Sequence, residues 1–165
     1  MATSNQGKMA GWAAKFSPVQ DVAFAVGAVF LLVGVLGFIP GITTNYSDFE
    51  WFGHESGAML LGVFAVSGLH NIVHMAFGVA GLLMARSFAG ARAFLIGGGV
   101  IYLVVWLYGL VIDHGSPANF MSLNMADNWL HLGLAVGMIA CGVALGVTQF
   151  ASRMGRHSGT PPVTQ

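Results

Sequence analysis

The sequence predicts an all-α, polytopic membrane protein: a bundle of four transmembrane helices with both termini in the cytoplasm. Of its 165 residues, 56% are hydrophobic and 7% charged, against roughly 25% charged in an average soluble domain. Four long apolar stretches, about 22–38, 57–85, 93–112 and 128–150, each approach or exceed the ~20 helical residues that cross a hydrocarbon core. Charge placement sets the orientation. Lys8, Lys15, Arg86, Arg92, Arg153 and Arg156 fall before the first stretch, between the second and third, or after the fourth, whereas the two opposite loops hold Asp48, Glu50, Glu55, Asp113 and Asp127 and no Lys or Arg. Basic residues stay on the cytoplasmic side, so the expected location is the cell membrane, multi-pass, with N and C termini cytoplasmic.

Taken in order, residues 1–17 read as a flexible tail. The first helix follows Pro18 and carries Asp21 where a first turn favours negative charge. Its apolar run is longer than a signal-peptide core and no small-x-small cleavage site follows, so it is expected to stay uncleaved. Residues 40–56 mix acids with Tyr46, Phe49, Trp51 and Phe52, as suits a segment at headgroup depth and a short interfacial helix. No stretch alternates with period two, so strands are not expected. The loop 113–119 carries Gly115 and Pro117 as breakers, and Asn124 or Asp127 can cap the fourth helix. One domain thus covers 18–152, and 153–165 form a second flexible tail. Gly27 and Gly34, then Gly133, Gly137, Gly142 and Gly146, permit close helix approach within the bundle, with a second copy, or with other membrane proteins.

Several functions are excluded. The chain lacks the basic footprint of a nucleic-acid binder. Its single cysteine, Cys141, cannot form an intrachain disulfide or a thiolate cluster. No nucleophile elbow, phosphate loop, CxxC or HExxH occurs, so nothing supports a hydrolase or kinase.

The chemistry-bearing residues lie in the second helix. Ser67, His70, Asn71, His74, Gly78 and Gly81 share one helical stripe. Polar groups in hydrocarbon are costly unless paired, so this stripe faces the bundle interior, either as a ligand, proton or cofactor site or as hydrogen-bonded packing. Tyr102, Trp106, Gly109 and Asp113 form a second semi-polar stripe that can close the same interior. Asn-x-x-His occurs twice, at Asn71/His74 and Asn128/His131, which hints at two duplicated hairpins. Counting residues from the cytoplasmic ends places His74 and His131 roughly 12 Å apart in height, but His70 and His131 only about 6 Å apart. On that count His74 is too deep to share a ligand with His131, and His70 with His131 is the feasible pair for a bis-histidine haem. On the outer side His54, Glu55, Asp113, His114 and Asp127 are suitable donors for a divalent ion, or else a solvated acidic rim.

With these residues in hand, the chain resembles a bacterial family of small four-helix membrane proteins known as domain of unknown function 4383. The resemblance rests on Gly37-Phe-Ile-Pro-Gly-Ile-Thr43, on Leu61 to Leu82 with its His-Asn-x-x-His core, and on Asn124-Met-Ala-Asp-Asn-Trp-Leu-His131. Members often carry Asn at the position of Ser67. The resemblance implies the architecture and no activity. Three functions remain open: a non-enzymatic membrane subunit or small-ligand binder using the His/Asn stripe, a haem-binding redox carrier with His70 and His131 as axial ligands and Tyr102 and Trp106 lining the pocket, and a proton or ion pathway through His70, His74 and Asp113.

Overall fold

Residues 16–157 are described by a computed structural model, with side chains as far as Thr148. Lys8 and Lys15, and the side chains of Arg153 and Arg156, lie outside what is described. The first helix, α1 (Pro18–Leu36), begins four residues earlier than expected because Ser17 and Pro18 suit the cap and first position. Gln20 Oε1 accepts from the Ser17 backbone N–H at 3.1 Å, and Asp21 sits in the first turn. Gln20 Nε2 also donates to the Ala85 carbonyl at 3.0 Å, which ties the start of α1 to the end of its neighbour.

The stretch expected as one helix over 57–85 is two structures. Its first part folds back: β2 (Met59–Leu60) pairs antiparallel with both β1 (Thr43–Thr44) and β3 (Phe64–Ala65). Leu61 and Gly62 take positive φ in the turn between β2 and β3, at 54° and 70°. Only α2 (Gly68–Met84, 17 residues) is helical. Hydropathy registers composition and not direction. Gly62 allows the reversal, Thr43 and Thr44 supply strand partners, and Ser67 provides a new helix start. The expected interfacial helix reduces to one 3-10 turn, Tyr46–Asp48. The helix α3 (Phe88–Val111) starts earlier than expected at its Ser87 cap, where Ser87 Oγ accepts from Gly90 N. The last helix, α4 (Met125–His157), runs past the expected tail boundary at 153, since no proline interrupts it before Pro161. The four helices make an all-helical fold apart from the three short strands. Pro18–Leu36, Phe88–Val111 and Met125–Thr148 are long and apolar enough to cross a membrane, and α2 is shorter.

The helices form two matching hairpins, α1–α2 and α3–α4. A side chain at Gly27 would meet Leu82 N at 2.8 Å and Gly78 O at 3.0 Å, and one at Gly99 would meet Ile139 N at 3.1 Å and Ala135 O at 2.9 Å. Counted from Asn71 in α2 and Asn128 in α4, these partners occupy the same positions. The correspondence continues through the buried pairs Val19 and Ala91, Ala23 and Leu95, Phe30 and Tyr102, and His74 and His131. It includes Gly37 under the Asn71 amide and Gly109 under the Asn128 amide. The duplication hinted at by Asn-x-x-His is therefore present in the packing. The shared core sits between the hairpins, on Phe30, Phe94, Leu95, Tyr102, Ala135 and Met138, and a smaller one under the strands holds Ala58, Leu60 and Val66.

Two expected contact glycines are corrected. Nothing lies within 4 Å of a side chain built at Gly133 or Gly137, whereas Gly142 meets Leu95 and Ile96, and Gly146 meets Arg92. The first pair shares an outward face because α3 crosses α4 on the other side. Replacing Gly27 or Gly99 by Leu is therefore expected to destabilise the protein in detergent by roughly 1–3 kcal/mol through overpacking, while Gly137→Leu leaves the melting temperature unchanged. Equal loss at Gly137 would overturn the assignment of faces.

Candidate functional site

The site grows from two helix starts. Ser67 caps α2, its Oγ accepting from His70 N at 3.3 Å and reaching the Met121 carbonyl at 3.4 Å. Asn124 caps α4 in the equivalent place, its Oδ1 accepting from Asp127 N at 2.9 Å. Asp127 Oδ2 in turn accepts from Asn124 N at 2.9 Å and from Ala65 N at 3.2 Å, so one carboxylate closes a capping box and anchors β3 to α4. Ser67 is thus a structural cap. An asparagine at this position would be an equally good capping residue.

One turn into each helix lie the polar residues. His70, Asn71 and His74 on α2, with Asn128 and His131 on α4, are all buried. The rings of His70 and His74 are 4.5 Å apart, those of His70 and His131 6.3 Å, and Tyr102 packs against His131 at 5.1 Å. One ligand atom from each of His70, His74 and His131 can be chosen so that all lie within 4.8 Å of one another. The expectation that His74 is too deep is therefore corrected. The height count took the helices as ending level, but Phe77, eight residues from Ala85, touches Tyr102, fourteen residues beyond Phe88, at 5.3 Å. That stagger between hairpins is worth about 9 Å and removes most of the difference.

The three histidines line a cavity of about 340 Å³ between α1 and α4, whose walls also include Val26, Val29, Leu60, Phe64, Leu130, Leu134 and Asp127. Several nitrogens and oxygens here are buried without a protein partner: Nδ1 of His70, His74 and His131, and both amide atoms of Asn71 and of Asn128. Orphans of this kind are rare in native interiors and gather where a protein has work to do. The carbonyls of Ala65 and Met121 lie near the His70 imidazole.

The other expected residues are placed differently. Tyr102 packs on His131, but neither Tyr102 nor Trp106, whose indole N–H is buried and unpartnered, is a wall of the cavity. Asp113 is exposed and accepts from Gly115 N in its own turn at 2.9 Å. Among the described residues, His70, His74 and His131 are the one group of three or more donors that converge; His54, Glu55, Asp113, His114 and Asp127 form no such set. Sequence reasoning missed the roles of Phe30 and Leu60, which wall the cavity. The strand turn that brings Leu60 there was hidden in an apolar run.

A family model described as a domain of unknown function (DUF4383) matches residues 20–144. The chain belongs to that family. The DUF4383 match contains both capped helix starts and all three clustered histidines. No curated protein and no solved structure matches the chain.

If Ser67 acts as a cap, Ser67→Ala costs about 1 kcal/mol and Ser67→Asn nearly nothing, read as melting temperature in detergent. An Asn substitution as damaging as Ala would assign the hydroxyl a different role.

Proposed function

We propose that this DUF4383 protein is a four-span integral protein of the cell membrane, with N and C termini cytoplasmic, that binds a small, mainly apolar molecule entering from the lipid phase and performs no chemistry on it. The observation that carries the binding is the cavity between α1 and α4, apolar along most of its walls and lined by three buried imidazoles. Ligand sites are commonly built this way, with a few polar groups fixing orientation in an apolar pocket. Val29 and Leu61, two of its lining residues, are exposed, so the cavity is open to the surroundings, where a bilayer would deliver apolar compounds. A neutral imidazole both donates and accepts and suits one polar end, such as a hydroxyl.

Four spans are supported by what surrounds the short helix. Seventeen residues of α2 rise about 25 Å, less than the ~30 Å of a hydrocarbon core, and the strand turn with exposed Leu61 and Val63 extends the apolar height. Trp51, Phe52, Phe120 and Trp129, all exposed near this end, have the composition of an aromatic belt.

Topology is tested in a cysteine-free background (Cys141→Ala). Cysteines placed at Ser47 and Ser116 are expected to react with an impermeant reagent added to intact cells, and one at Ser87 to stay unlabelled; the opposite pattern inverts the orientation. Binding is tested in vesicles with a long-chain alcohol bearing a diazirine. Cross-links are expected on the cavity-facing residues of α1 and α4 and are lost in Val29→Trp. Labelling spread evenly over the outward faces of all helices would sink the cavity reading.

A further inference from the structure

We infer that His70, His74 and His131 together hold one first-row transition-metal ion through three imidazole nitrogens, with its fourth position turned toward the cavity. The inference deepens the cavity reading and rests on it only for that fourth ligand. Three observations converge. The donor atoms lie within 4.8 Å of one another. A metal–nitrogen distance of about 2.0 Å places tetrahedral donors about 3.3 Å apart, so modest side-chain rotation closes the set. The rings are 1%, 8% and 3% exposed, and each keeps Nδ1 without a partner. Three buried imidazoles that each carry an unpartnered nitrogen and together offer converging donor atoms leave polar groups unpaired, and a shared cation gives all three rings a partner.

The donor set selects the kind of ion. Imidazole nitrogen without thiolate suits zinc, copper, nickel or iron and not magnesium or calcium, which require oxygen. Three neutral ligands leave the ion's charge uncompensated, and Asp127, a wall of the same cavity, places a carboxyl group nearby. The Ala65 and Met121 carbonyls beside the His70 ring are the kind of outer partners that fix the orientation of a metal-binding imidazole. A single ion needs only the space between the nitrogens. A porphyrin plane between His70 and His131 would have to displace the Phe30 and Tyr102 rings, which pack on His74 at 5.6 Å and on His131 at 5.1 Å.

The experiment uses the full chain carrying an affinity peptide free of histidine, purified in detergent without chelator. Elemental analysis is expected to find about one equivalent of a first-row metal. Adding Co²⁺ to the stripped protein is expected to give the intense visible bands of four-coordinate cobalt and to raise the melting temperature. His70→Gln, His74→Gln and His131→Gln each weaken Co²⁺ binding at least tenfold, whereas His54→Gln and His114→Gln leave it unchanged. Val29→Trp, which adds bulk to the cavity wall at an exposed position, keeps the metal while losing the alcohol cross-link, so the two readings can fail separately. If a glutamine variant does not fold, the cobalt-dependent rise of the wild-type melting temperature still decides. Absence of both cobalt bands and that rise overturns the inference, as does binding that survives in the His131 variant or a Soret band in the wild type.

Discussion

Backbone contact at Gly27 and Gly99 is the constraint on which the other features depend. At Gly27 the α1 backbone rests on Gly78 and Leu82, and at Gly99 the α3 backbone rests on Ala135 and Ile139. Apolar side chains cannot pull helices together in lipid as they do in water, because lipid is as apolar as leucine; small residues and close van der Waals contact do it instead. With each hairpin clamped by such backbone contacts, the first also at Gly34 against Asn71 and Met75, the residues beyond them are fixed in register. Asn71 lies over Gly37 and Asn128 over Gly109, and the histidine one turn further along each helix points into the space between hairpins. The polar centre is thus placed by glycines that touch none of its imidazoles.

Most of this architecture was legible in the sequence, though unevenly. Helix number, the polar stripe at His70, Asn71 and His74, and the repeated Asn-x-x-His could all be read, because spacing and composition survive without three-dimensional information. The start of α2 could not. Residues 57–67 are as apolar as a helix, and the deciding features are positive φ at Leu61 and Gly62 and pairing with Thr43 and Thr44, a partner some fifteen residues away. The convergence of His74 with His131 failed for a related reason. A count of rise per residue fixes height along one helix, but the stagger between hairpins is set by how Phe30, Phe77 and Tyr102 interlock. Of the glycine pairs, Gly27 with Gly34 and Gly142 with Gly146 met neighbours and Gly133 with Gly137 did not, since spacing marks a face without saying which helix covers it.

The duplication explains why the centre has an odd number of histidines. His74 and His131 are true counterparts, each one turn beyond a buried asparagine. His70 has Asp127 as its counterpart, since both are the third residue of their helices and both donate their backbone N–H to a capping side chain, Ser67 Oγ or Asn124 Oδ1. From equal positions the two side chains then diverge. The Asp127 carboxylate turns back to Asn124 N and Ala65 N, where it completes the start of α4 and holds the strand turn that roofs the cavity. His70, with no acceptor role at its own helix start, turns inward and joins the other two imidazoles. A symmetric pair of hairpins would have offered either four inward imidazoles with no anchor for the roof, or two with two anchors. One substitution between counterparts yields both a closed roof and a third inward imidazole, so the asymmetry at this single position is what separates a matched pair of hairpins from a bundle with three clustered histidines.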